Sequence, residues 1–503
     1  MNEQLKKISF YVGGAFLFNV LFYNEQMALN TLFFDGYILL ALYYLYPSAK
    51  TNTIVRWLLI IHVFSLVTLL IHNTVVSKFA FIITLLLLTG FSEYVHRSAW
   101  YAGGSVILNF VLFIGNFAET VISFVKRKKN GSPKWTKYIR LSLIPFILVF
   151  IFFVIYANAN SVLSNISYKV ADWIEVNLQK FFSVFIWERI AFTLLGLYIT
   201  GSLLTKTRIN YFSINDLEQT DVLIRKRKIF YKQPKRTYQT VKRFSNIGLK
   251  NENTIGIISL VLLNALLFIV NCIDIDFVWL HFEFRADKPI YKLVHEGTEL
   301  LIISLILAMS VVLFFFKGNL NFYKRNKWLK YGTYAWILQN GFLVLSVLLR
   351  DYYYILHYGL AYKRIGVLFF LLMVLVGLIT VFVKVFSRKT GYFLFRVNAW
   401  STIILLTTAS FVNWDVSIAK YNLAHKGQIT LDSTFLLTLS DKTLPVLYEH
   451  ADVFMARDPS FSEFINKRIQ NYMDNRKEYS WLSWDYSDNS VQKYFKQNYL
   501  KSQ

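Results

Sequence analysis

The sequence is poor in the residues that build disulfide scaffolds, broken helices and the commoner nucleotide sites. One cysteine, Cys272, stands among 503 residues, which excludes a disulfide framework or a cysteine-based metal site within one chain. Only seven prolines occur, and Pro145 alone falls inside an apolar run. That scarcity fits a rigid bundle better than a carrier with interrupted helices, and no internal repeat is visible. The phosphate loop G-x-x-x-x-G-K-[ST], GxGxxG, the G-x-S-x-G elbow and the kinase motif set are all missing. Their absence weighs little against bilayer enzymes, which often carry only a scattered Asp, His or Arg. No small-residue cleavage site follows Met1–Lys7 before the next apolar run, so the first apolar segments are expected to target the chain.

What the chain has in plenty is apolar length. Hydrophobic residues make up 55% and aromatics 18%, gathered in runs of roughly 18–25 residues, which is what a ~30 Å hydrocarbon core asks of a helix. About twelve such runs lie near 8–23, 28–46, 54–72, 77–92, 101–124, 141–158, 184–204, 254–272, 296–316, 331–349, 365–386 and 397–412. The expected fold is an all-α, polytopic transmembrane helical bundle over residues 1–412. Residues 413–503 are expected to form a small extracytoplasmic helical tail.

Charge orients these spans, because short cytoplasmic loops collect Lys and Arg. The loop 205–250 carries twelve basic residues against three acidic ones, and 126–140, 317–330 and 384–396 are also basic. The net charge of +24 is therefore read as a topology signal and not as a nucleic-acid footprint, although the same loops suit anionic lipid head groups. With those loops inside, the chain is expected in a bacterial inner membrane with its C-terminus outside. The N-terminal half fits less well: Lys6, Lys7, Lys50 and Arg56 favour the cytoplasm, yet three spans separate Arg56 from Lys126. Twelve crossings with the N-terminus outside are favoured over eleven with it inside. In the tail, eleven acidic residues balance eleven basic ones. Ser440 and Pro459 are read as helix-start signals.

An ionisable group at membrane depth is expensive unless paired, which makes each one a candidate. Asp35, beside Gly36, reads mainly as a structural hydrogen-bonding group. His62, alone on an apolar helix, reads as packing. Glu119 is expected near a cytoplasmic end, within reach of Lys126 and Arg127. Glu188 and Arg189 point about 100° apart on one helix and so call for partners on other helices. The stretch Val294–Ile303 sets His295 and Glu299 on one face, with Glu296 turned away. It is half of an HExxH pattern with Glu299 in place of the second histidine, so no metal is assigned and a helix start is preferred. His295, Glu296 and Glu299 remain the catalytic candidates if the protein is an enzyme. No cofactor is called for.

The run Arg396-Val397-Asn398-Ala399-Trp400, the run Asn413-Trp414-Asp415 through Tyr421-Asn422, and Leu431-Asp432 through Leu439-Ser440-Asp441 to Leu444-Pro445 resemble the C-terminal signature of a family of bacterial polytopic membrane proteins. That family is identified as a domain of unknown function numbered four-one-seven-three. His295-Glu296-Gly297, Phe316–Phe322 and Tyr358–Gly366 resemble further parts of it, so that the likeness spans roughly 140–450. The resemblance implies an integral inner-membrane protein with an external C-terminal segment, and no activity.

Three functional classes follow. A membrane scaffold or sensing component comes first, with protein partners at 205–250 and 413–503. A transporter using Asp35, Glu188, Arg189, His295 and Glu299 comes second. An enzyme acting on a lipid-linked or envelope substrate at the outer face comes third.

Overall fold

The computed structural model describes residues 3–125, 187–207, 209–223, 246–280, 306–307, 309–316, 318–456 and 459–498, with short fragments between 142 and 172. Among the described residues all regular secondary structure is helical, apart from a single isolated bridge between Val222 and Lys389. Helices of eight or more residues are α1 Glu3–Phe22, α2 Leu29–Leu45, α3 Thr53–His72, α4 Val75–Glu93, α5 Ala99–Val125, α6 Trp187–Leu204 and α7 Tyr211–Glu218. They continue with α8 Asn246–Asp274, α9 Lys327–Tyr358, α10 Tyr362–Phe386, α11 Gly391–Ala409, α12 Trp414–Ala424, α13 Phe461–Lys477 and α14 Tyr486–Asn498.

Seven of the described helices are long and apolar enough to cross a membrane, or eight if α11 and α12, bent by 60°, form one broken span. The expected count of twelve is not reached among the described residues. The run at 28–46 folds as a 17-residue helix, about 25 Å long at 1.5 Å per residue and so marginal for a span. The run at 184–204 folds as α6 but carries Glu188, Arg189, Thr193, Thr200 and Ser202, which dilute its apolarity. The run at 397–412 begins earlier, at Gly391, and stops at Ala409. Much of the runs at 141–158 and 296–316 lies outside the described residues.

The chain divides into two compact units. Unit 1 comprises Met1–Leu217, Thr407–Phe411 and Lys467–Gln503. Its helices meet at small residues: a Cβ on Gly90 would come within 2.8 Å of the Ala102 carbonyl oxygen, and Gly201 lies against the Phe113 ring. Such close approach is how helices associate where solvent gives no hydrophobic drive. The two ends of the unit are marked by contacts between loops. At one end Tyr46 donates to the Leu204 carbonyl at 2.7 Å, and Ser213 of α7 donates to the Val95 carbonyl at 2.8 Å. At the other, the Leu29 amide donates to the Trp484 carbonyl at 3.1 Å.

Unit 2 comprises Glu218–Leu406 and Val412–Asn466. Its core gathers Leu260, Val312, Phe316, Leu329, Trp336, Leu371 and Leu378. A polar seam joins α8 to α9: Gln339 donates to Asn264 at 2.8 Å, Asn271 to the Gln339 carbonyl at 3.2 Å, and Arg350 pairs with Asp274. Buried Lys384 donates to the carbonyls of Phe316 at 3.0 Å and Lys389 at 3.1 Å. Arg396 pairs with Asp221 at 2.8 Å, and the Thr390 amide donates to the Asp221 carbonyl at 3.0 Å. In the C-terminal region Asp432 caps a short helix by accepting from the Phe435 amide at 2.9 Å. Ser440 stands at the N-cap position without a side-chain capping bond. Pro459 precedes α13 by two residues.

Candidate functional site

Helix α3 is built inside out relative to a helix in water. Val55, Leu58, His62, Ser65, Thr68 and Leu69 are buried, whereas Trp57, Ile60, Val63, Phe64 and Val67 are exposed. Its polar residues recur at 62, 65 and 68, a three-residue step that keeps them on one slowly turning stripe. Hydrocarbon outside and hydrogen bonds inside is the arrangement a bilayer selects.

The stripe gathers partners from both neighbouring helices. His62 Nε2 lies 2.9 Å from Asp35 Oδ1 on α2, and His62 Nδ1 lies 2.9 Å from Thr84 Oγ1 on α4. Ser65 Oγ is 2.8 Å from the same Thr84 hydroxyl and 2.7 Å from the His62 carbonyl. Asp35, His62, Ser65 and Thr84 are all buried. Thr84 Oγ1 also donates to the α4 carbonyls of Ala80 at 2.8 Å and Phe81 at 3.0 Å. The contacts give both imidazole nitrogens and one Asp35 oxygen a hydrogen-bonding partner, which offsets the cost of burying these polar groups in apolar surroundings.

The stripe continues to the C-terminal chain. Thr68 Oγ1 is 3.0 Å from Ser410 Oγ. Beyond the helix, Asn73 closes α3 in the left-handed conformation, and its side-chain amide donates to Asp485 at 3.0 Å. Asp485 also accepts from the Asp488 amide at 2.9 Å, while Arg476 pairs with Asp488. A second clamp lies at the turn between α1 and α2. Ser483 donates to Glu25 at 2.5 Å, the Gln26 amide donates to Ser483 at 2.7 Å, and the Ser480 amide donates to Glu25 at 3.2 Å.

The other intramembrane candidates sit apart from this stripe. Arg189 Nε donates to Asn19 at 3.1 Å and its guanidinium lies 5.3 Å from the Tyr23 ring centroid, which ties α6 to α1. Glu188 is exposed in the first turn of α6. Glu119 is half-buried towards the end of α5; Lys126 and Arg127 lie outside the described residues. His295, Glu296 and Glu299 also lie outside them.

A second carboxylate, imidazole and hydroxyl series was not singled out from the sequence. Asp216 faces His96 Nδ1 at 3.3 Å, and His96 Nε2 faces Ser105 Oγ at 3.1 Å. The order is that of a hydrolytic triad, but the setting is structural. Asp216 accepts from the amides of Arg97 at 2.7 Å and Ser98 at 3.1 Å, and the Phe212 ring lies so close to Gly104 that a Cβ there would meet it at 2.8 Å. Buried Glu93, at the end of α4, likewise accepts from Asn109 at 2.5 Å. Sequence reading passed over His96 and Asp216 because they lie between the apolar runs, and over Glu93 because it follows the last residue of its run.

In unit 2 two of the signature runs converge. Asn422 accepts from the Leu360 amide at 2.6 Å and donates to the Leu360 carbonyl at 2.9 Å. Gly359, at φ 76°, has no room for a Cβ beside Asn422 and Ile429. Arg364 donates to the Tyr358 carbonyl at 2.9 Å and lies 4.2 Å from the Tyr354 ring centroid. Asn413 caps α12 through the Val416 amide, Trp414 packs edge-on against Phe369, and Asp415 follows in the first turn. Tyr421 stacks on His425 at 4.3 Å. Arg396 pairs with Asp221, Asn398 donates to Thr380 at 3.1 Å, and Trp400 is half-buried on α11.

A family model described as Domain of unknown function (DUF4153) matches residues 36–450. The family number expected from the signature runs is thereby corrected from four-one-seven-three to four-one-five-three, and the likeness reaches back to residue 36 instead of 140. Neither the curated proteins nor the solved structures contain a match to the chain.

Proposed function

The chain belongs to the DUF4153 family, and we propose that it is an integral membrane sensing and scaffold component in which the Asp35–His62 pair and the C-terminal segment form one cooperative unit. One observation carries this reading: a single face of α3 holds the pair through His62 and the C-terminal chain through Thr68, with Asn73 adding a second hold just past the helix. A change at the pair therefore moves the same helix that anchors Ser410 and Asp485. The transporter reading has less support, since Glu188 is exposed and Arg189 is tied to Asn19 on a different helix pair.

The loop contacts also support an orientation. Segments from the basic regions 205–250, 317–330 and 384–396 meet in unit 2: Asp221 with Arg396, and Arg388 5.7 Å from the Phe322 ring centroid. By the excess of Lys and Arg they belong to the cytoplasmic face of a bacterial inner membrane. In unit 1 the segment 207–216 lies with the turn 94–98, and the Glu25 and Asn73 turns lie with 480–488 at the opposite ends of their helices. This favours a cytoplasmic N-terminus with the C-terminal segment outside. It reverses the preference for an external N-terminus and gives Lys6, Lys7, Lys50 and Arg56 the side they suit.

The test uses the full chain with Cys272→Ser and a reporter at Val491→Cys, a buried position on α14. A membrane-impermeant maleimide is expected to label it from the outer face, at least about tenfold faster when His62→Leu is added, the rise that a ~1.4 kcal/mol loss of local stability produces. Equal rates with and without His62→Leu would overturn the coupling. Labelling from the cytoplasmic side alone would overturn the orientation.

A further inference from the structure

Helix α7 presents Ser213 and Asp216, with the Phe212 ring, to the bundle and turns Ile214 and Leu217 outward. Ser213 and Asp216 are 6% and 0% exposed, whereas Ile214 and Leu217 are 45% and 51% exposed. The preceding Ile209 and the first helical residue, Tyr211, are exposed as well. This orientation is fixed by bonds. Ser213 donates to the Val95 carbonyl, and Asp216 accepts from the amides of Arg97 and Ser98 while facing His96. The Phe212 ring lies against Gly104. Rotating α7 to bury Ile214 and Leu217 would strip Asp216 of all these partners. In water the observed arrangement leaves three large apolar side chains of this eight-residue helix, and Ile209 just before it, wetted, which the hydrophobic effect opposes.

We propose that α7 is an interfacial helix lying in an anionic phospholipid surface, with Ile209, Tyr211, Ile214 and Leu217 set among the upper acyl chains. Two features select lipid as the occupant. In sequence, α7 belongs to the strongly basic segment 205–250, whose charge complements phosphate head groups. Lys206, just before α7, lies 4.2 Å from the Tyr94 ring centroid, so one cation is held next to the helix. An exposed apolar face within a basic segment is the pattern of a helix lying in the interface plane.

The proposal is tested with the full chain carrying Cys272→Ser and Ile214→Cys, labelled with an environment-sensitive fluorophore and reconstituted in phosphatidylcholine vesicles with or without phosphatidylglycerol. A second protein labelled at Gln219→Cys, an exposed position just past the helix, serves as the wetted reference. At 214, emission should be blue-shifted and quenched by spin-labelled lipid, with iodide quenching at least about threefold weaker than at 219. Phosphatidylglycerol should strengthen the lipid quenching. Iodide quenching at 214 equal to that at 219 would overturn the proposal. A probe at 214 shielded from both quenchers would overturn it too, by showing a protein partner on this face.

Discussion

Replacing Asp35 by Asn and by Leu separates the loss of the carboxylate charge from the loss of a hydrogen-bonding partner. His62 Nε2 has Asp35 as its partner at 2.9 Å, and both side chains are buried. Leucine keeps the same branching but leaves the imidazole nitrogen unsatisfied, a loss of about 1–3 kcal/mol before any strain from its bulkier methyl groups. Asparagine can hydrogen-bond the same nitrogen with its amide N–H or its carbonyl oxygen, whichever the His62 tautomer requires, while His62 Nδ1 keeps its bond to Thr84. The expected loss is then at most about 1 kcal/mol. For a unit of this size about 2 kcal/mol corresponds to a shift of about 4–8 °C in the unfolding midpoint. Thermal unfolding in detergent, followed by size-exclusion recovery of the full chain, reads this directly. The expected order is wild type, then Asp35→Asn close below it, then Asp35→Leu several degrees lower. Equal midpoints for Asp35→Leu and wild type would refute the pairing. An Asp35→Asn midpoint as low as that of Asp35→Leu would refute the claim that hydrogen bonding, and not the carboxylate charge, is what the pair contributes.

Two further outcomes follow from other parts of the molecule. Gly359→Ala forces a side chain into the left-handed region and into Asn422, so it should lower stability by about 2–3 kcal/mol. Asn422→Ala removes both bonds to Leu360 and should cost about 1–3 kcal/mol, with the two effects less than additive in a double variant because the residues share one corner. Tyr46 lies outside the spans; burial, with Glu93 nearby, pushes its phenol well above the usual tyrosine range. The folded state therefore holds this proton more tightly than the unfolded chain. The stabilisation is complete below the unfolded tyrosine pKa of about 10 and is lost as pH rises beyond it. Tyr46→Phe should be about 1 kcal/mol less stable near neutral pH and decline less steeply in alkali; parallel pH curves for the two proteins would contradict this.

The sequence carried the long helices plainly, because a run such as Thr53–His72 must be helical to satisfy its backbone in apolar surroundings. It also marked Asp35 and His62 as costly residues, one by one. Their meeting was not legible, since the two lie 27 positions apart on different helices and nothing in a single sequence couples them. The three-residue step from His62 to Ser65 to Thr68 was readable as a stripe, but its continuation to Ser410 and Asp485 spans more than 340 positions. The signature residues of unit 2 were visible as a pattern. Their contact, Asn422 on the Leu360 peptide, depends on a turn whose need for Gly359 is apparent only in three dimensions. In α7 the hydrophobic spacing was too short to distinguish an inward apolar face from an outward one, and hydrogen bonding to the 95–98 turn decides between them.

The central claim is that α3 couples the Asp35–His62 pair to the C-terminal segment. Amide hydrogen exchange of the full chain in lipid nanodiscs, compared between wild type and Asp35→Leu, tests it most directly. Peptides covering 480–490 should exchange at least about tenfold faster in the variant, as a ~1.4 kcal/mol loss of local stability requires, while those covering 414–424 in unit 2 stay unchanged. Unchanged exchange over 480–490, in a variant whose unfolding midpoint has fallen, would contradict the coupling.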